Sequence, residues 1–459
     1  MLQLFCMVEK NLDELKLSKH HLKAMFVSGM GFFTDAYDLF IIGVALSLIA
    51  PVWGLTRSEI ALLGSSSLLA ALFGSIFFGR FADNFGRKKI YGLEALIMTI
   101  GALMSAFSPN FLFLLFSRFI LGLGIGGDYP VSAVIMSEYS NRADRGKLVG
   151  LVFSMQALGL IIGPLVALSL LLLHIPLDFV WRLMLGLGSI PSIMVIYLRR
   201  KLPESPRYLS EIVCDKKAAL TAFVNFIGNG DKTYESPHLN SRIRYKLKDF
   251  FSNKQHVLTL FGTAGSWFLL DWAYYGNTIS TPIVMNAICD SSSLELKMIY
   301  SLLIFVVFAL PGYILSIIFM DIIGRKYIQL IGFSIMSLSF LLLGLIPDIV
   351  NNVTGFLILY GLSYLFTEFG PNTTTFVLPS ELFPTEYRAT GHGLSAGIGK
   401  LGAFFGVLLF PITESFFGLN ITFVIVSIIC LMGIITTSVL TEPKGKSLED
   451  CSYSKIIGK

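Results

Sequence analysis

The chain has 459 residues, 54% of them hydrophobic and only 14% charged, with a net charge of +5 and a mean hydropathy of +0.72. That balance excludes an ordinary soluble domain, and the lack of any basic stretch interleaved with aromatics excludes a nucleic-acid binder. The five cysteines, Cys6, Cys214, Cys289, Cys430 and Cys451, form no CxxC and no disulfide framework, and only Cys289 falls near an outer loop.

In chain order, residues 8–23 are polar and lack the apolar core and small-residue cleavage site of a secretory signal, so the amino terminus is expected in the cytoplasm. Twelve apolar runs follow, at 24–51, 58–79, 90–109, 111–138, 148–173, 177–198, 256–285, 297–319, 328–346, 354–379, 391–413 and 418–440. Most reach the roughly 20 residues that cross a hydrocarbon core. They are continuous rather than alternating, which predicts helices and not barrel strands. The expected fold is an all-α polytopic membrane protein with twelve transmembrane helices.

Charge sets the orientation. The loops after runs 2, 4, 8 and 10 carry Arg80, Arg87, Lys88, Lys89, Arg142, Arg145, Lys147, Arg325, Lys326 and Arg388, against Arg57, Lys297 and Arg182 on the other side. By the positive-inside bias both termini are cytoplasmic. Residues 199–255 hold twelve Lys and Arg against six Asp and Glu and read as a solvated cytoplasmic linker. The chain therefore divides into a six-helix bundle at 1–198, the linker at 199–255, and a second bundle at 256–459 with a short cytoplasmic tail.

The two bundles repeat. "GRFADNFGRKK" after run 2 is echoed by "DIIGRK" after run 8, with Asp83 and Asp321 238 residues apart; "SEYSNRADRG" after run 4 is echoed by "SELFPTEYRATG" after run 10, offset by 243. Glu138 and Arg145 are seven apart, as are Glu381 and Arg388. Gly79 permits close helix contact, Gly86 a tight turn, and Asp83 and Arg87, like Asp321 and Arg325, can pair at helix ends. Such pairs are suited to gating: they lock one side of two bundles and release when the bundles part. The segment from Gly79 to Lys88 resembles the conserved loop of the major facilitator superfamily, and "PESPRYL" and "TEPKGKSLED" resemble motifs of sugar porters and their relatives. The resemblance covers essentially the whole chain and implies two pseudo-symmetric six-helix bundles, but leaves the cargo open.

Cargo is read from polar residues inside the runs, where a charge costs about 2.5–3.5 kcal/mol on insertion scales. Arg182 and Glu414 lie near run ends, where a charged head can snorkel to water. Asp35, Asp38, Glu94, Arg118, Asp128, Asp271, Glu368 and Lys400 are mostly flanked by apolar sequence on both sides and read as functional. Trp267, Asp271 and Tyr275 are four apart and share a helix face. Pro130 and its neighbouring glycines are expected to loosen the helix around Asp128 and Tyr129, and Gly370-Pro371 to do the same before Asn372. The offset of 243 carries Tyr129 to Asn372 and Gln156 to within one of Lys400, and 238 carries Asp35 to within two of Asp271. Polar residues of both halves thus share a depth, as in a site between two bundles.

This set suits a partly protonated oxyanion. Dihydrogen phosphate can donate to Asp271, accept from Tyr129, Gln156, Trp267, Tyr275 and Asn372, and be balanced by Lys400, whereas sulfate has no proton to offer the carboxylate. "GFFTDAYDLF", "GGDYPVSA", "WFLLDWAYYG", "FGPNTTTF" and "HGLSAGIGKLGA" together resemble the phosphate:proton symporter family. The resemblance implies that Tyr129, Gln156, Trp267, Asp271, Tyr275 and Asn372 contact phosphate and that Asp35, Asp38 and Asp128 serve proton transfer and gating. It also places Arg118 and Glu94 nearby and makes Lys400 important for transport. The chain departs from the family pattern at Glu368, where Asn is usual.

The expected activity is proton-coupled import of inorganic phosphate by alternating access, in the plasma membrane, by a protein that works as a monomer in the lipid bilayer with no cofactor and no metal. Two other classes stay open: a symporter of another small anion, an organic acid or a sugar, with Glu368 as the pointer, and a nutrient sensor that moves no cargo. No metal-ligand cluster, nucleophile motif or P-loop points to an enzyme.

Overall fold

The computed structural model describes residues 12–227, 245–288 and 294–453. Cys6 and Cys289, the latter noted above near an outer loop, lie outside them. Ten helices among the described residues are long and apolar enough to cross a membrane. In chain order the first nine are α1 (Lys19–Trp53), α2 (Arg57–Phe85), α3 (Arg87–Ala106), α4 (Phe111–Tyr139), α5 (Arg145–Leu172), α6 (Leu177–Arg199), α8 (Leu296–Ile323), α9 (Arg325–Leu345) and α10 (Val353–Leu382). The tenth, Arg388–Ser438, is 51 residues long and is broken at Gly418, whose φ of 79° and ψ of 167° no helix contains. It is therefore α11 (388–417) followed by α12 (419–438). Helix α7 (Lys254–Ile279) completes the twelve; it is more polar because it carries Asp271, Tyr274, Tyr275 and Asn277.

The helices start where the sequence supplies caps. Thr56 accepts from the Glu59 amide while Glu59 reaches back to the Thr56 amide, 3.3 and 2.8 Å, and Asn110, Asn253 and Asn352 cap α4, α7 and α10. Several helices overrun the expected apolar segments because they continue past the hydrocarbon into polar turns. One falls short: the run expected at 256–285 ends at Ile279, and Thr281–Ile288 forms a separate helix.

Among the first six helices α2 packs on α4 and α1 on α5 and α6; among the last six α7 packs on α11 and α9 on α10 and α12. Two seams join the halves, α2 against α11 and α5 against α8. These exchange under the sequence repeat, since α8 is the counterpart of α2 and α11 of α5. Small residues set the close approaches: a Cβ on Gly79 would overlap the Ala389 carbonyl, and one on Gly393 the Ser75 carbonyl.

Two proline sites differ. Helix α4 runs unbroken through Pro130, contrary to the loosening expected there. The missing Pro130 amide leaves the Gly126 carbonyl without its helical donor, and Ser75 Oγ of α2 donates to it at 2.9 Å. At Gly370-Pro371 the helix does change form: Glu368–Asn372 is a π-helical turn with Gly370 at φ −105°, ψ −112°.

The described part of the linker is not a solvated strap. Helices Pro206–Glu211 and Lys216–Phe226 dock beneath the first half: Tyr139 stacks on Phe226 at 4.4 Å and donates to the Pro203 carbonyl at 2.9 Å. Arg207 is fully buried, 2.6 Å from Asp13 and paired with Glu449 of the terminal helix Leu448–Tyr453. Burial pushes the Glu449 carboxyl up, but Arg207, its own backbone, Arg388 and Arg145 outweigh that and hold it below its ordinary value.

A test of this packing lies at Gly126, where a methyl would overlap the Ala71 backbone. Gly126→Ala is expected to lower stability by about 1–3 kcal/mol through overpacking, read as a lower midpoint of thermal unfolding in detergent. An unchanged midpoint would show that α2 and α4 can part freely.

Candidate functional site

The side chains expected to bind cargo converge between the halves. On α7 the four-residue spacing places Trp267, Asp271 and Tyr275 on one face, all buried. Lys400 of α11 crosses to them, 2.9 Å from Asp271 Oδ2 and 3.0 Å from the Tyr275 hydroxyl, with its ammonium 4.5 and 4.3 Å from the ring centres of Tyr129 and Tyr275. Tyr129 of α4 reaches the Tyr275 hydroxyl at 3.4 Å and lies 6.0 Å from the Trp267 ring. Beside this group Gln156 of α5 accepts from Tyr313 of α8 at 2.7 Å and from Asn372 of α10 at 3.2 Å. Asn372 also donates to Glu368 Oε2 at 2.5 Å. Among the described residues, four buried atoms here find no hydrogen-bond partner: Asp271 Oδ1, Gln156 Nε2, Glu368 Oε1 and the Tyr274 hydroxyl. In a dry interior such atoms are costly unless a ligand meets them.

A second charged group lies within the first half. Arg199 joins Glu94 Oε1 at 2.8 Å and Asp128 Oδ1 at 2.6 Å, under the Tyr91 ring at 4.1 Å, and Ser132 donates to the same Asp128 oxygen at 2.6 Å. Asp35 is fully buried with neither carboxylate oxygen hydrogen-bonded; Asp128, Arg199, Asp38 and Lys400 are its charged neighbours. It therefore stands between this cluster and the Lys400 group. Asp38 is likewise unbonded at both oxygens and faces Arg118, which donates instead to the Asp38 carbonyl at 2.7 Å. Arg118 is thus tied to Asp38 and not to Asp35 or Asp128.

The third group closes the face that carries the basic loops. Arg87 lies 3.2 Å from Asp83 and 3.0 Å from Glu138, and Arg388 of the other half reaches the same Glu138 oxygen at 3.2 Å. Arg325 pairs with Asp321 and Glu381 at 2.8 and 2.9 Å. Arg145 does not meet Glu138, seven residues before it; it joins Asp13 at 3.1 Å, with Glu381 among its charged neighbours. Each repeat aspartate also accepts from the first turn of a helix in the opposite half: Asp83 from the Thr390 amide of α11 at 2.6 Å, Asp321 from the Lys147 amide of α5 at 2.8 Å. A carboxylate is favoured at a helix amino end. Gly86 and Gly324, at φ 99° and 111°, make the turns that aim these aspartates. The tail adds to the closure: Glu442 accepts from the Arg325 and Lys326 amides, while Arg142 and Arg145 donate to the Gly445 and Lys446 carbonyls.

Between this seal and the Lys400 group sits an aromatic layer of Phe32, Phe153 and Phe376, with centroids 4.7–5.5 Å apart. On the opposite face a cleft of about 280 Å³ opens between the halves, lined by Phe40, Ser47, Thr278, Asn286 and Lys297 among others. Phe40 also stacks on Tyr275 at 5.2 Å, so it separates cleft from polar chamber.

Sequence reasoning missed Arg199 and Tyr313. Arg199 opens the run "RRK" at the end of α6, where it cannot be told from the solvated basic residues beside it. Tyr313 follows Pro311-Gly312, a helix-breaking pair of the kind that drew attention to Asn372, so a signal for it was present.

Twelve helices around a buried chamber of paired charges, sealed on one face and cleft on the other, define a membrane transporter of the major facilitator type. A family model described as "Sugar (and other) transporter" matches residues 24–454. Among curated proteins the chain is 36% identical to a probable inorganic phosphate transporter 1-6 of Arabidopsis thaliana, over 96% of this chain and 95% of that protein. It is 35% identical to low affinity inorganic phosphate transporter 4 of Petunia hybrida, over 96% and 93%. Among solved structures it resembles the proton:xylose symporter XylE bound to 6-bromo-6-deoxy-D-glucose, with a TM-score of 0.77 at 19% identity, covering 94% of this chain and 98% of that one. The partially occluded inward-open form of XylE from E. coli gives 0.72 at 20% identity, covering 94% and 100%. The chain belongs to the sugar-and-other-transporter family of the major facilitator superfamily and, within it, to the group of the inorganic phosphate transporters.

The Lys400–Asp271 pair gives a direct test. Lys400→Met leaves Asp271 buried and uncompensated, a loss of about 3–5 kcal/mol, and is expected to lower the thermal unfolding midpoint markedly. Adding Asp271→Asn is expected to recover most of that loss. A double variant no more stable than Lys400→Met would show that the two charges are not coupled.

Proposed function

We propose that this integral membrane protein imports inorganic phosphate together with protons by alternating access. The observation that carries the reading is the chamber around Lys400. Its single ammonium is already matched by Asp271, so the cargo it suits is a small anion that also donates a hydrogen bond. Dihydrogen phosphate meets both demands: its hydroxyl faces Asp271, its oxygens accept from Tyr129, Tyr275, Trp267, Gln156 and Asn372, and it lies beside the Lys400 ammonium that Asp271 already pairs. The names of the curated relatives support the same cargo.

Proton coupling is assigned to the second group. Asp35 and Asp38 have no hydrogen-bond donors, and Asp128 and Glu94 share Arg199, so a proton taken by one of these carboxylates changes which partner Arg199 and Lys400 attract. Arg118 supports Asp38. Phosphate and proton bias one two-state equilibrium, and each therefore tightens the other's binding. The gating role goes to Asp83, Arg87, Glu138, Arg145, Asp321, Arg325, Glu381 and Arg388: intact, they hold the basic face shut, and they part when the face opens. By the positive-inside bias that face is cytoplasmic, with both termini on it, and the cleft faces outward. The bundles at 1–198 and 256–459 rock about the chamber, joined by the linker at 199–255. The protein acts as a monomer, embedded in the lipid of the plasma membrane.

The test is uptake of labelled phosphate into liposomes containing the pure protein, with and without an imposed inward proton gradient. Asp35→Asn and Asp128→Asn are expected to abolish gradient-driven accumulation. Asp271→Asn is expected to weaken phosphate binding about tenfold to a hundredfold, the loss of one charge-assisted hydrogen bond. Normal accumulation in all three variants would overturn the assignment, and competition by sulfate or sugars as strong as by phosphate would overturn the cargo.

A further inference from the structure

Resting on the phosphate reading above, we propose that Glu368 is a second proton-carrying group built into the cargo chamber itself, loaded with a proton whenever the anion binds. Every other buried carboxylate within hydrogen-bonding reach of a cargo ligand has a cation: Asp271 has Lys400 at 2.9 Å. Glu368 is fully buried and makes no ion pair among the described residues. Its surroundings are neutral on every side. From its own helix it meets Asn372, with Tyr364 one turn back; from α8 it meets Tyr313, with Gly312 leaving the room a side chain would fill; from α7 it meets Tyr274. Helix α9 packs Gly332 and the Ile328 carbonyl against this turn, and its neutral Gln329 accepts from Thr374 just beyond it.

Charge balance makes the consequence plain. Lys400 and Asp271 cancel, so the empty chamber with ionised Glu368 carries one uncompensated negative charge. A phosphate monoanion arriving at Asn372 and Gln156 would add a second, close by and away from water. One proton on Glu368 removes that conflict and turns its carboxyl into a donor. The neutral acid can then give its proton's hydrogen bond to a phosphate oxygen, while Asn372 keeps its bond to the other carboxyl oxygen. On the far side of the cycle, wetting of the chamber ionises Glu368 again, and the restored charge expels the anion. Within the π-helical turn Glu368–Asn372 both side chains meet Tyr313, and Asn372 also meets Gln156.

The experiment counts protons. In proteoliposomes carrying a pH-reporting dye, proton and labelled-phosphate uptake are followed together for the wild type and for Glu368→Gln, which holds the neutral shape but cannot release a proton. The wild type is expected to move at least two protons per phosphate, one through the Asp35–Asp128 group and one on Glu368; Glu368→Gln is expected to move one fewer. Phosphate affinity measured against pH is expected to fall more steeply in the wild type than in Glu368→Gln, by up to about tenfold per pH unit where Glu368 titrates. Phosphate's own ionisation is common to both and drops out of the comparison. A wild-type count of one proton per phosphate overturns the proposal even should the variant fail to fold, and so do identical counts and slopes in the two proteins. Failure of the wild type to bind phosphate at all would instead overturn the cargo assignment on which the proposal rests.

Discussion

A charge held away from water must be matched by another, and most of this molecule's internal order follows from that constraint. Arg199 is held between Glu94 and Asp128 at 2.8 and 2.6 Å, Lys400 against Asp271, and Arg87 and Arg388 share Glu138. Each pair spans two helices, so the pairs also dictate which helices are neighbours. Breaking one exposes a buried ion, which is far more costly than replacing the whole pair. The few buried carboxylates that make no ion pair among the described residues, Asp35, Asp38 and Glu368, then stand out as places where a mobile charge can enter the balance.

The same constraint acts at two depths with different partners. At the basic face the matching is made across the seams, by Asp83 on the first turn of α11 and Asp321 on the first turn of α5. In the chamber it is made mainly within one half, between α7 and α11. Parting the halves therefore strips the basic-face aspartates of their amide donors across the seams, while Asp83 keeps Arg87, Asp321 keeps Arg325 and Lys400 keeps Asp271. On the proposed function, opening and closing belong to the face and affinity to the chamber, with the aromatic layer of Phe32, Phe153 and Phe376 between the two.

Much of this was legible in the chain. The continuous apolar runs gave twelve helices, and the offsets of 238 and 243 pointed to paired seams because duplicated halves must place like residues at like depth. The four-residue spacing of Trp267, Asp271 and Tyr275 was enough to place them on one face. What the chain did not disclose is long-range pairing. Nothing local distinguishes Arg199 from Arg200, yet one is buried on Asp128 and the other is not. The seven-residue spacing of Glu138 and Arg145 recurs in the other half, but nothing in that repeat tells that Glu138 pairs with Arg388 of the other half and Arg145 with Asp13. The linker looked solvated because its composition is polar, but Arg207 is buried by Asp13 and Glu449, residues nearly two hundred and more than two hundred positions away.

The hydrogen bond from Ser75 to the Gly126 carbonyl has a mechanical meaning. Pro130 denies α4 one rung of its own ladder, and α2 supplies the missing donor. Sliding one helix along the other would strand that carbonyl in a medium with no substitute, so the bond acts as a dowel between them. Similar dowels, Ser337 with Ser427 and Gln329 with Thr437, pin α9 to α12. Such bonds stiffen the interior of each half and leave the seams as the softer joints, which is the build that the proposed rocking of two stiff plates requires.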